Sequence, residues 1–182
     1  MKNYIDTLIN DWSIIVDNSS FKKDLLRVAY IYWSENSDYD WTWTWAIIEK
    51  NWELLSRWSN VLPIEIKKKV KWRILKWTEY EDELDHAERN AIHNAARNWV
   101  KLEWSQMYMP WVPCHDCWKA IVHSWINSLV MHYSKVIKTP WHRLDSVKKA
   151  VVRLLENKIN LIMVTDEIWD CESKLWGEIW YP

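Results

Sequence analysis

One split motif constrains this chain more than any other feature: His86-Ala87-Glu88 and then, after 24 residues, Pro113-Cys114-His115-Asp116-Cys117. It assembles one imidazole, two thiols and a carboxylate that need not bind a metal. Catalytic zinc takes three protein ligands and keeps a fourth position for water. His86, Cys114 and Cys117 supply three. The two cysteines stand three apart at an expected helix start and can face one ion. Thiolates are favoured there, because the dipole is positive and backbone N–H groups are free. His86 falls on the first turn of a second expected helix. The fold must therefore aim two helix N-termini at one point, with a strand inside the gap. Zinc lowers the pKa of bound water from 15.7 towards about 7. Glu88, two residues beyond the first ligand, is suited to carry a proton from that water to a leaving group.

Each piece alone has a plainer reading. Asp85 and Glu88 fit a helix capping box, with Asp85 as N-cap and Glu88 three residues on. A C-x-x-C is also a redox pair or half of a structural zinc site. A structural site needs a fourth ligand, for which Cys171, His115 or His93 are conceivable. The order of all the residue types, with Pro113 ahead of the first Cys, favours the catalytic reading.

The rest of the chain predicts an α/β fold. Apolar spacing gives helices over 2–16 and 21–35, then a hairpin of strands 44–49 and 53–58 around Asn51-Trp52. Residues 61–85 read as an insertion in which a basic run, Lys67 to Arg73, meets an acidic run, Glu79 to Asp85. Its plain reading is a solvated charged segment; its sharper one is that some cations meet a substrate phosphate. Helices follow at 86–97, 114–124 and 145–158, and strands at 105–109, 127–133 and 161–165. Strands alternating with helices after a hairpin imply a three-layer α/β/α arrangement around a mixed five-stranded sheet. One domain is expected over 1–182, with its core at about 21–165 and an unplaced tail after Asp166.

Composition narrows the partners. Lys and Arg number 24 against 25 Asp and Glu, a net charge of −1. That balance argues against a polynucleotide partner. No apolar run reaches the roughly 20 residues that span a bilayer. The N-terminus lacks a signal-peptide pattern, and three cysteines make no disulfide framework. A cytoplasmic homo-oligomer acting on a small molecule is the expectation.

One count is abnormal: 18 Trp and a single Gly, Gly177. Trp52 falls where a hairpin turn asks for Gly. Trp99 and Trp125 fall where helices ask for a left-handed residue just past their ends. We read most of these Trp as occupying glycine positions and give them no functional weight.

The motifs resemble those of the cytidine and deoxycytidylate deaminase superfamily, most closely its deoxycytidylate (dCMP) deaminases. His86-Ala87-Glu88-Arg89-Asn90 is similar to the family's H-A-E-x-N. Residues Pro113 to Ile121 are similar to P-C-x-x-C-x-K-A-I. Trp45-Ala46-Ile47-Ile48 resembles a G-A-V-I strand, with Trp at the Gly position, and Val130 to Tyr133 resembles a strand ending in Tyr. The likeness spans roughly residues 21–165. It implies a Zn2+ cofactor on His86, Cys114 and Cys117, with Glu88 catalytic. It also implies substrate contacts from Asn60 to the sugar, from Asn90 near the phosphate, and from Ala87 and Pro113. The implied reaction is hydrolytic deamination of a cytosine nucleotide, dCMP to dUMP with release of ammonia. Cytidine, a free base, tRNA or single-stranded DNA are alternative substrates, and an inactive zinc-stabilised module is the non-enzymatic alternative. Three departures stand out. Arg57-Trp58-Ser59-Asn60 replaces a Gly-Tyr-Asn-Gly stretch linked to nucleotide regulation, so feedback by dCTP does not follow from the likeness. Val112 replaces a Glu before Pro-Cys. Residues 61–85 hold no His/Cys set for a second zinc.

Overall fold

A computed structural model describes residues 1–11, 13–36, 44–62, 83–175 and 177–182. The loop expected at Asp38-Tyr39-Asp40 and most of the charged 61–85 segment lie outside the described residues. Helix α1 (Lys2–Asn10) leads into strand β1 (Ile14–Val16), helix α2 (Ser20–Asn36) and the hairpin β2 (Trp45–Lys50) and β3 (Glu53–Ser59). Helix α3 (Ala87–Arg97), strand β4 (Gln106–Tyr108), helix α4 (Cys117–His123) and strand β5 (Ser128–His132) follow. A short helix α5 (Tyr133–Val136) and a 3₁₀ turn (Trp141–Arg143) precede helix α6 (Leu144–Glu156) and strand β6 (Asn160–Val164). The tail forms a two-stranded hairpin, β7 (Ser173–Leu175) and β8 (Glu178–Trp180).

The main sheet runs β1-β6-β5-β4-β2-β3. Strands β1, β6, β5 and β4 are parallel, whereas β2 is antiparallel to both β4 and β3. The sheet is mixed, as expected, but it has six strands rather than five. The extra one is β1, inside the stretch read as the first helix. That helix stops at Asn10, because the Asp11 carboxylate accepts the Ser13 N–H at 2.9 Å and turns the chain. The β-branched Ile14-Ile15-Val16 then pairs with Leu161-Ile162-Met163.

Side chains alternate across the sheet with the period of two that strands impose. Ala46, Ile48, Met107, Leu129, Met131, Leu161 and Met163 point to the layer that holds α1, α3, α4 and α6. Trp45, Ile47, Tyr108, Val130, Ile162 and Val164 point to α2 and the tail, meeting Leu26, Ala29, Tyr30 and Ile168. These two cores sandwich the sheet and hold it between helical layers. Among the described residues, no helix is long and apolar enough to cross a membrane.

The turns locate the unusual Trp. Asn51 (φ 53°) and Trp52 (φ 71°) both take left-handed backbone, the geometry of the expected hairpin turn. At the end of α3, Trp99 has φ 58°; Val100 N–H reaches Ala95 O at 3.0 Å and Trp99 N–H reaches Ala96 O at 3.2 Å. Those two bonds are the Schellman pattern, whose left-handed residue is usually Gly. Trp104 (φ 65°) and Trp125 (φ 62°) are left-handed as well.

Candidate metal centre and its cavity

Two segments bring the motif together. His86 is the N-cap of α3, with extended backbone (φ −73°, ψ 148°), so its ring leaves the helix axis instead of joining the first turn. Helix α4 begins at Cys117, three residues later than its apolar pattern suggests. Cys114 lies in the preceding loop, tied to the helix by Trp118 N–H donating to Cys114 O at 3.3 Å. The sulfurs of Cys114 and Cys117 each stand 3.4 Å from His86 Nδ1. All three ligand atoms lie within 4.8 Å of one another. Tetrahedral zinc, with bonds of about 2.3 Å to sulfur and 2.0–2.1 Å to nitrogen, separates S and N by about 3.6 Å. The donor set therefore fits one zinc ion through His86 Nδ1.

Among the described residues, no further His, Cys, Asp or Glu joins this group. The three conceivable fourth ligands are elsewhere: His93 Nδ1 is 3.7 Å from Asp85, the His115 ring packs on Trp118, and Cys171 Sγ lies against Ile168 O. Three ligands without a fourth leave a coordination position open, which separates a catalytic from a structural zinc site. Proton sharing between the sulfurs already favours one thiolate: the Cys117 thiol beside Cys114 holds Cys114 down to about 3.

Glu88 does not form the capping box. The N-cap is His86, and no side chain caps the helix through a box. Asp85 is occupied with the Arg89 guanidinium at 2.8 Å and bridges to Val61 through its backbone. Glu88 is left buried, 8% exposed, on the wall of a cavity of about 310 Å³ that also takes in His86, Cys114 and Asn60. Burial pushes its carboxyl above the usual range, and nearby His86 opposes part of that rise. A carboxyl with a raised pKa beside an open metal position is equipped to trade a proton.

The expected substrate residues separate. Asn60 lines the cavity, and its Oδ1 accepts the Ala87 N–H at 2.8 Å, satisfying a free donor at the α3 start. Asn90 is not among the residues lining the cavity. Its amide donates to Ser59 O at 3.2 Å and Asp85 O at 3.0 Å, fastening β3 to α3. Ala87 and Pro113 flank the ligands in sequence but are not among the residues lining the cavity. The sequence reading passed over Thr44, Arg143 and Ser146, which do line it. They belong to no motif, and only folding brings the segment before α6 to the metal loop.

The model of the cytidine and deoxycytidylate deaminase zinc-binding region matches residues 32–133, more than half of the chain. The chain belongs to the cytidine and deoxycytidylate deaminase family. Relatives within this family include the deoxycytidylate deaminases of Enterobacteria phages T2 and T4. Each is 53% identical to the chain over 45 residues, which is 25% of this chain. That stretch spans only about a quarter of each relative's length (24% and 23%). The fold is that of the dCMP deaminase from cyanophage S-TIM5. Its apo form has a TM-score of 0.55 at 17% identity, covering 82% of this chain and 100% of that one. Its complex with dCMP and dUMP has a TM-score of 0.57 at 17% identity, covering 82% and 99%. Membership of a zinc-binding deaminase family agrees with the three-ligand geometry of His86, Cys114 and Cys117.

Proposed function

We propose that this chain is a zinc-dependent hydrolase that deaminates a cytosine nucleotide, converting dCMP and water to dUMP and ammonia. One observation carries the reading: three ligands stand together with no fourth among the described residues, and two of them, His86 and Cys114, line a cavity with the buried carboxyl of Glu88. Zinc held by His86, Cys114 and Cys117 would supply water of lowered pKa. The Glu88 carboxyl would hold a proton and pass it to the departing amine. Burial raises its carboxyl above the usual range, which makes it a better proton acceptor. Asn60, anchored through Oδ1, keeps its amide nitrogen for a sugar hydroxyl. Asn90 holds β3 against α3 and so fixes Asn60 relative to His86. The dCMP deaminase names among the family relatives support the choice of base and sugar.

The test uses zinc-loaded protein with dCMP, dCTP, cytidine, cytosine and a short single-stranded DNA. Ammonia should come fastest from dCMP. Release from none of them defeats the proposal. Glu88→Ala should retain zinc and lose at least about 100-fold in kcat, the scale of a positioned acid–base group. Unchanged turnover would remove Glu88 from the mechanism.

A further inference from the structure

We infer that Ser146 is a positioning residue for the metal centre, its hydroxyl oxygen setting the peptide that aims Cys114 at the ion; this rests on reading His86, Cys114 and Cys117 as zinc ligands. The three ligands are not equally anchored. His86 is fixed as the N-cap of α3, and Cys117 as the first residue of α4. Cys114 lies in neither a helix nor a strand. A side chain in a loop is aimed by the planar peptides on either side of its Cα, because each plane moves only as a unit.

The peptide joining Cys114 to His115 is held at both of its polar ends. Its carbonyl oxygen accepts the Trp118 N–H at 3.3 Å. Its N–H, that of His115, donates to Ser146 Oγ at 3.0 Å. The first bond comes from α4, which begins only three residues after Cys114. The second comes from α6, 31 residues beyond His115 in the chain. A plane gripped at both ends loses its freedom to rotate, and the direction of Cys114 Sγ is set with it. Ser146 is the third residue of α6 and uses its oxygen on another segment instead of on its own helix. Val147, Ala150, Val151 and Leu154 of that helix are buried in the core. Their packing fixes the rotation of α6 and keeps Ser146 facing the metal loop. Cys114 and Ser146 both line the cavity, so without the hydroxyl the His115 N–H pairs with water there and the peptide can swing. Groups that hold a ligand in place from behind commonly account for about 10- to 100-fold in metal affinity.

Two substitutions of nearly equal shape separate the oxygen from the packing: Ser146→Thr keeps the acceptor and Ser146→Val lacks it. Zinc affinity is measured by titration against a competing chelator, with urea unfolding of the metal-free forms to show that each is folded when zinc is added. Ser146→Val and Ser146→Ala should each weaken zinc about 10- to 100-fold, whereas Ser146→Thr should stay close to the unsubstituted protein. Equal zinc affinity in the Thr and Val forms overturns the inference, whether both keep the ion or both lose it, because the hydroxyl then does not matter. If the unsubstituted protein binds no zinc, the ligand reading fails and takes the role of Ser146 with it. Ammonia release from dCMP at saturating zinc is followed in parallel. Zinc affinity that tracks the hydroxyl, with no ammonia from any cytosine compound, keeps Ser146 as a positioning residue and defeats the deaminase reading instead.

Discussion

His86, Cys114 and Cys117 are close in space because His86 is the N-cap of α3, Cys117 opens α4, and Cys114 lies in the loop just before it. Glu88 is an interior group only because its neighbour His86, and not Asp85, serves as N-cap. The Trp residues pose the opposite case, in which the backbone specifies something the side chain opposes. A non-Gly residue in left-handed backbone costs about 1–2 kcal/mol. Trp99 is 93% exposed, so its indole returns little by packing. Trp99→Gly is therefore expected to stabilise the protein by about 1 kcal/mol, raising Tm by about 2–4 °C. A calorimetric scan checks it; a lower Tm would mean the indole packs better than its exposure indicates. The Cβ clash in left-handed backbone made this position readable in advance, since it depends on local geometry alone.

At the scale of elements, the site depends on how β3 meets α3. Asn60 and Asn90 stand one residue after β3 and in the first turn of α3, and their amides cross that junction in both directions. Asn90 was expected near a phosphate; its polar pattern on a helix could not reveal that two backbone carbonyls take its amide. Asn90→Ala leaves both carbonyls short of a donor, which should cost about 1–3 kcal/mol of stability. It should also weaken zinc about 10- to 100-fold, as lost support behind a metal ligand commonly does. Denaturant unfolding and a competitive zinc titration read the two effects; unchanged zinc affinity would limit Asn90 to stability. The missed strand β1 belongs here too. Apolar residues at Ile5, Leu8 and Ile9 fit a helix, and periodicity continued that helix too far, although Asp11 and the β-branched triplet mark its end.

At the scale of the whole molecule, buried polar groups tie the tail to the sheet. His132, fully buried at the end of β5, receives the Tyr30 O–H on Nδ1 at 3.0 Å and donates from Nε2 to Asp166 O at 3.2 Å. That pairing joins α2, β5 and the segment after β6, and it uses the neutral ring. Burial, with Lys135 and Lys138 nearby, holds His132 down to about 4. The unfolded chain binds a proton below about 6.5 while the folded one does not, so this contribution is complete above pH 6.5 and is lost as pH falls towards 4. The loss across that window is about 3 kcal/mol. His132→Gln should show a flatter dependence of its urea midpoint on pH between about 6.5 and 4. Equal slopes in the two proteins would remove His132 from the acid response.

What sequence alone determined is what depends on short range. Ligand types and their order, the left-handed turns and the alternation of strand faces follow from local sterics and periodicity. Tertiary structure decided the rest: the six-strand order, the absence of a fourth ligand near the metal group among the described residues, the bonds of Asn90 to Ser59 and Asp85, and Arg143 at the cavity wall. These rest on contacts between segments far apart in the chain, such as Ser146 on His115 and Asn18 on Thr165. The free energy of such pairings belongs to the packed whole, and no window of sequence contains it.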